Sequence, residues 1–475
     1  MPEPRTWQLA AGSAALGLAL AAGAVAAAGP WDSGQRKAER ARAVSADSRG
    51  GAHHAGAPAQ AAPRRPAPAP SAAGVLRALG ATGHAGGITR SGDDLAAVLV
   101  PLLADPGLGP LRTASVVDTA TGRPLYGEGA STPMTPASTV KIATAAAALS
   151  ALGPDHRIPT TTVASPDHRT LTLVGGGDPT LDRTRLKALA DATARALRGP
   201  GATPPAPVRL GYDTSLFKGP LLHPIGPNEN LAPVSALMTA EGRLDGSRHG
   251  PAPRTGDPAG DTATAFAALL QDAGITVQGP PRPARAPQAA PLARTESAPL
   301  ADLVEHTLTH SDNDLAEALA RQTALARRQP ASFAGAEKAV HDELARLGLP
   351  LAGARFADGS GLDRRDRVSA TLLTGILTRA ADPARPALRP VLTGLPVGGF
   401  SGTLAGRFGS GPAAPGAGLV RAKTGTLTGV NTLAGTVVTA DGRLLAFAFL
   451  AARTSSPDTA QPALDRLTAA LAPPR

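Results

Sequence analysis

The chain contains no cysteine in 475 residues. That excludes disulfides, thiolate metal sites, a cysteine nucleophile and an N-terminal lipid carried on cysteine. Aromatic residues make up only 3% of the chain, so its cores must be assembled from Ala, Leu and Val, for which the 42% apolar content suffices. Lysine is scarce as well. Of the 47 basic residues six are lysine, at positions 37, 141, 187, 218, 338 and 423, and the other 41 are arginine. Arginine stays protonated in proteins, whereas lysine can lose its proton. A lysine in an apolar setting is therefore a candidate for proton chemistry in this chain.

The length fits two or three domains. Of the formal net charge of +10, +6 falls in residues 1–90. The remainder is close to balanced, so a nucleic-acid-binding body is not indicated. A basic N-terminal region instead suits an anionic membrane or cell-wall polymer. Trp7–Ala28 is free of charge, about long enough to cross a bilayer, and flanked by Trp7 and Trp31. Ala24-Val25-Ala26 offers small residues for a signal peptidase. Residues 1–32 thus read as a cleaved signal peptide or a retained membrane anchor, and both imply export, to the outer face of the cytoplasmic membrane or to the extracellular space and cell wall. Arg36, Lys37, Arg40 and Arg42 run against the positive-inside rule for an exported body. Residues 33–87, rich in Ala, Pro, Gly and Arg, read as a disordered linker.

Globular patterning begins near Asp93. A helix is expected over Asp94–Leu103, then strands at Leu111–Asp118 and Gly122–Tyr126 around a hairpin turn. Short strands at Thr160–Ala164, Arg169–Val174 and Val208–Tyr212, with Pro-rich loops between, predict an inserted, mainly β domain over 160–295. Gly175-Gly-Gly-Asp178 within it reads as a tight turn, because it lacks the Lys-Ser/Thr of a phosphate loop. Helices follow at Leu300–Thr309, Leu315–Arg327, Gly335–Leu347 and Ser369–Arg379. Strands are expected at Leu419–Lys423, Leu433–Thr439 and Leu444–Leu450, and a last helix at Asp458–Leu471. Residues 88–159 and 296–475 would together form the main domain, an α/β (α+β) fold with an antiparallel sheet flanked by helices.

The central stretch is Pro136-Ala-Ser-Thr-Val-Lys141, which runs into the almost wholly apolar Ile142–Leu152. A helix that is apolar on every side is a buried one. Ser138 and Lys141 lie three residues apart, on one helical face. A serine hydroxyl becomes a useful nucleophile when a neighbouring base takes its proton. Lysine can be that base if burial and nearby cations lower its pKa. The helix N-terminus favours negative charge growing on the serine oxygen.

Two further signals complete a set. Ser311-Asp312-Asn313 lies between two helices, and Lys423-Thr424-Gly425-Thr426 lies on a strand. Each is common alone; the three in this order are specific to the penicillin-recognising serine enzymes. With Gly175-Gly-Gly-Asp-Pro-Thr-Leu181, Asp358-Gly-Ser-Gly-Leu362 and Arg421–Val430, the chain from about residue 93 resembles the D-alanyl-D-alanine carboxypeptidase/endopeptidases. These are the low-molecular-mass class C penicillin-binding proteins, serine peptidase family S13. One departure is acidic Asp314 after the Ser-x-Asn motif, where an apolar residue is expected.

The resemblance implies a penicillin-binding-protein/β-lactamase-like transpeptidase fold. It implies peptidoglycan stem peptides ending in D-Ala-D-Ala as substrate, β-lactams as inhibitors, and no cofactor or metal. Ser138 would form the acyl-enzyme, and Lys141 would be the base, a role disputed in this superfamily. Ser311 and Asn313 would relay a proton and orient the substrate amide. Lys423 would supply fixed positive charge for the terminal carboxylate. Thr424, Gly425 and Thr426 would bind substrate along a strand edge, with the backbone N–H groups of Ser138 and Thr426 as oxyanion hole. A β-lactamase, or a wall-binding module without turnover, are the alternatives.

Overall fold

The computed structural model describes residues 92–198 and 206–473. The expected signal or anchor at 1–32 and the linker at 33–87 lie outside the described residues. No helix among the described residues is long and apolar enough to cross a membrane.

In chain order, helix α1 (Gly92–Leu103) leads to a hairpin of β1 (Leu111–Asp118) and β2 (Pro124–Glu128), and then to α2 (Lys141–Leu152). The next segment holds β3 (Pro159–Ala164), β4 (Thr170–Val174), α3 (Arg183–Arg198), β5 (Arg209–Asp213), α4 (Pro258–Asp272), β6 (Arg282–Pro283) and β7 (Ala293–Glu296). After it come α5 (Leu300–His310), α6 (Asn313–Ala326), α7 (Phe333–Arg346) and α8 (Ala370–Ala381). Three long strands, β8 (Val420–Leu427), β9 (Val430–Val438) and β10 (Leu444–Ala452), precede the final helix α9 (Pro457–Ala469).

The first sheet is antiparallel, in the order β2-β1-β10-β9-β8. Strand β10 shows why it is covered on both faces. Its side chains alternate across the sheet. Ala446, Ala448 and Leu450 face a core shared with α2, α5, α6, α7 and α8. Leu445, Phe447 and Phe449 face the opposite core, with Leu95 and Leu99 of α1 and Leu464 and Leu467 of α9. Ala446 and Ala448 on one face let the helical layer approach closely; Phe447 and Phe449 on the other fill the space under two peripheral helices. At the end of the order, β8 is an edge strand.

The second sheet runs β6-β5-β4-β3-β7, with β4, β5 and β6 parallel and the other pairs antiparallel. Helices α3 and α4 pack against it through Leu186, Leu189, Phe266 and Leu270. This corrects the expectation of a mainly β insertion: the segment is mixed α/β. The signal for α3 is in the sequence, because Leu186, Leu189, Ala190, Thr193, Ala194 and Leu197 recur at helical spacing and are its buried face. Helix α4 starts on a cap that is also legible. Asp257 accepts the Gly260 N–H at 3.0 Å, with Pro258 at the first helical position. The Gly175–Gly177 stretch, expected as a tight turn, instead runs on from β4, with Gly175 N and Gly177 N donating to the Asp213 and Ala236 carbonyls at 3.0 and 2.7 Å, and the turn follows at Pro179 and Thr180. A Cβ on Gly176 would sit 1.8 Å from the Pro159 carbonyl oxygen, and Gly177 has φ +92°.

Candidate active site

Ser138 lies not in α2 but in a 3-10 turn, Ala137–Val140, that feeds it. Ala137 has φ 49°, a left-handed conformation that costs energy for a residue with a Cβ. That bend turns Ser138 outward, while Lys141, the first residue of α2, points into the core and is 0% exposed. The Lys141 Nζ donates to Ser138 Oγ at 2.9 Å, to Asn313 Oδ1 at 2.7 Å and to the Ser360 carbonyl at 2.6 Å. Burial pulls its pKa down to about 8; the carboxylates of Asp358, Asp312, Glu317 and Asp366 oppose that pull. The amine is therefore near the edge of deprotonation at neutral pH, already in contact with the serine.

The Ser-x-Asn residues occupy the break between α5 and α6. Ser311 ends α5 with φ 59°, and Asp312 caps α6 by accepting the Leu315 N–H at 2.9 Å. This reversal brings Ser311 and Asn313 to the mouth occupied by Ser138. The Asn313 side chain bridges, accepting from Lys141 and donating to the Asn230 carbonyl at 3.0 Å.

On the other side, β8 presents Lys423 to Thr426 on its edge. Gly425 is fixed by geometry: a Cβ there would lie 2.2 Å from Thr432 Oγ1, 2.7 Å from the Pro136 carbonyl and 3.1 Å from Ser138 N. Only glycine lets the strand come this close to the serine turn. Lys423 is 0% exposed and its Nζ donates to the Thr424 carbonyl at 2.9 Å. Burial, and then the nearby Lys141, hold its pKa well below the usual lysine value. Of the lysines in the described residues, 141 and 423 are the two buried ones; Lys187 and Lys338 pair with Asp191 and Asp342 at the surface.

Ser138, Ser311, Asn313 and Thr426 line one cavity of about 280 Å³. Asn230, Arg243 and Pro251 of the insertion and Thr403 also line it. Sequence reasoning missed these four; they carry no motif and reach the site through the fold. Thr403 receives the Thr424 hydroxyl at 2.9 Å. Behind the wall, burial and then Asp312 push the Glu241 carboxyl up to about 9.

The acidic Asp314 has a clear partner. It accepts from Arg254 at 2.7 Å and from the Ala232 N–H at 3.0 Å, both in the insertion. A buried polar network also lies beneath Lys141. Asp358 accepts from Ser360 Oγ, Gly361 N and Asp363 N, and meets His223 Nε2 at 2.8 Å. Glu317 accepts the Gly359 and Ser360 N–H groups, each at 3.0 Å. The His223, Glu317 and Asp358 group, and that of Glu241, His306 and Asp312, draw together as metal ligands would. In the first, Asp358 and Glu317 Oε1 are engaged by the hydrogen bonds just given, while Glu317 Oε2 is buried without a hydrogen-bond partner. In the second, the Arg243 guanidinium already lies 2.8 Å from Glu241.

The D-Ala-D-Ala carboxypeptidase 3 (S13) family matches this chain over residues 95–248 and 244–471. The chain is 36% identical to a carboxypeptidase of Mycobacterium tuberculosis, over 84% of this chain and 87% of that protein. It is 37% identical to carboxypeptidase DacB of Mycolicibacterium smegmatis, over 81% of this chain and 84% of that protein. In fold it is similar to penicillin binding protein 4 (dacB) of Haemophilus influenzae, with TM-score 0.66 at 24% identity, covering 78% of this chain and 97% of that one. That protein is also known in complex with a β-lactam. With a family match across both segments and two relatives aligned over most of their length, the chain belongs to the D-Ala-D-Ala carboxypeptidase 3 (S13) family.

Proposed function

We propose that this serine D-Ala-D-Ala carboxypeptidase works through an acyl-enzyme on Ser138, with Lys141 as base. The observation that carries the reading is the buried Lys141 amine, its pKa lowered to about 8, 2.9 Å from the Ser138 hydroxyl. Ser138 Oγ attacks the carbonyl carbon of the D-Ala-D-Ala bond, and its proton passes to Lys141 Nζ. Collapse of the tetrahedral adduct breaks the C–N bond, and the leaving D-alanine amine takes a proton by way of Ser311. Water then hydrolyses the ester and frees Ser138. The N–H groups of Ser138 and Thr426 hold the oxyanion, each such donor typically contributing ~10²–10³ in rate.

Substrate lies extended along the edge of β8 beyond Ala422, beside the serine turn that Gly425 lets approach. Asn313 orients its amide and Thr424 and Thr426 border it. Its terminal carboxylate meets Lys423. A β-lactam enters as a strained amide in place of the peptide bond and stays on Ser138. The substrates are peptidoglycan stem peptides, which places the enzyme outside the cytoplasmic membrane, and the charge-free Trp7–Ala28 stretch supports export.

The test is D-alanine release from a stem pentapeptide, together with the site of covalent labelling by a penicillin. The wild-type protein should release D-alanine and carry the label on the Ser138 peptide, and Ser138→Ala should do neither. Label on another serine, or release undiminished in Ser138→Ala, would overturn the assignment.

A further inference from the structure

We infer that His223, contributed by the insertion, is a positioning residue for Lys141, acting through Asp358 and the Ser360 carbonyl. The inference rests on the reading of Lys141 as the catalytic base. No motif marks His223 in the sequence. It sits in the segment between β5 and α4 and is 4% exposed.

Its ring is held from three sides. Nε2 meets Asp358 Oδ2 at 2.8 Å, Nδ1 receives the Ile225 N–H at 3.3 Å, and the Phe333 ring packs edge-on with centroids 5.4 Å apart. Because Nδ1 accepts the Ile225 N–H, Nε2 carries the ring proton and donates toward Asp358. Asp358 organises the turn that follows it. It accepts Gly361 N at 2.6 Å, Asp363 N at 2.8 Å and Ser360 Oγ at 3.0 Å. The outcome is that the Ser360 carbonyl aims at Lys141 Nζ, 2.6 Å away, and Thr144 Oγ1 secures the adjacent Gly359 carbonyl at 2.8 Å. Two links therefore separate the imidazole from the base.

The same links are electrostatic. Facing Lys141 are the carboxylates of Asp358, Asp312, Glu317 and Asp366, and Lys423 lies near it. Facing His223 are Asp358, Glu317 and Asp363, and Arg321 faces Glu317. Each carboxylate favours the protonated, catalytically idle form of Lys141. A donor on Asp358 offsets part of that field. Burial opposes charge on His223, but the Asp358 hydrogen bond and the surrounding carboxylates hold its pKa above the usual histidine value. What the geometry shows the ring supplying to Asp358 is the Nε2–H, 2.8 Å from Oδ2. Without it, Asp358 would act on Lys141 less well compensated, and Lys141 would keep its proton to higher pH.

The test is the pH profile, from pH 6 to 9.5, of the second-order acylation rate by a labelled penicillin. It compares the full-length wild-type enzyme with His223→Ala and His223→Gln. In His223→Ala the midpoint of the acid limb should rise by on the order of 1 unit. The rate below the limb should fall about tenfold, converging on wild type at the alkaline end. His223→Gln keeps a neutral donor and should fall between the two. An equal loss at every pH with an unmoved midpoint would make His223 merely structural and overturn the inference; so would an unchanged profile or a midpoint that falls. If His223→Ala does not fold, the Gln variant decides by the same criterion. Failure of the underlying reading looks different: the wild-type profile itself would then lack an acid limb that disappears in Lys141 variants.

Discussion

Arg254 and Asp314 form a buried ion pair at 2.7 Å, which joins the insertion to the residue directly after Asn313. Burial, and then Asp312, push Asp314 up to about 7 despite the guanidinium. Above that pH the pair is fully charged, and each member depends on the other.

At pH 8, Asp314→Leu alone should lower stability by about 3–5 kcal/mol, because it leaves the Arg254 charge buried and unpaired. The double change Arg254→Met/Asp314→Leu should recover most of that loss. Denaturant melts of the two single variants and the double variant check it. Equal destabilisation by Asp314→Leu and the double variant would show that the pair does not tie the two segments together.

The Lys423 pKa is held well below normal by burial and then by Lys141. A substrate carboxylate reverses that balance and favours the charged amine. Binding of a D-Ala-D-Ala peptide to the Ser138→Ala enzyme, which cannot be acylated, should therefore take up protons near neutral pH, and Lys423→Ala should abolish the uptake. Lys423→Ala should also impair carboxylate substrates more than amidated ones. Calorimetry in buffers of different ionisation enthalpy measures the uptake. Uptake that persists in Lys423→Ala, or equal losses on both substrates, would contradict this role.

Much of the first sheet and its helices is legible in the sequence, because β10 and the helix after Ser138 carry strong apolar patterns. The three motifs are legible too, since chemistry restricts residue type at each position. The helices of the insertion are missed, although the spacing of Leu186, Leu189, Ala190 and Leu197 encodes one of them. Asn230, Arg243, His223 and Thr403 are missed for another reason. Their positions near the site come from long-range packing, and single polar residues in loops carry no local signal. Asp314 reads as an anomaly until Arg254, sixty residues earlier in sequence, is seen beside it.

The account turns on Lys141 as a group that gives up and takes a proton. Lys141→Arg keeps a positive charge and much of the length, but a guanidinium cannot serve as base at neutral pH. The decisive measurement is the second-order rate of acylation by a labelled penicillin, for wild type, Lys141→Arg and Lys141→Ala, with a thermal melt of each. The account predicts that Arg is nearly as harmful as Ala, with a loss on the order of 10²–10⁴ in variants that still melt cooperatively. A folded Lys141→Arg enzyme that acylates within about tenfold of wild type would contradict it, since a loss that small lies below the range expected for removing a general base.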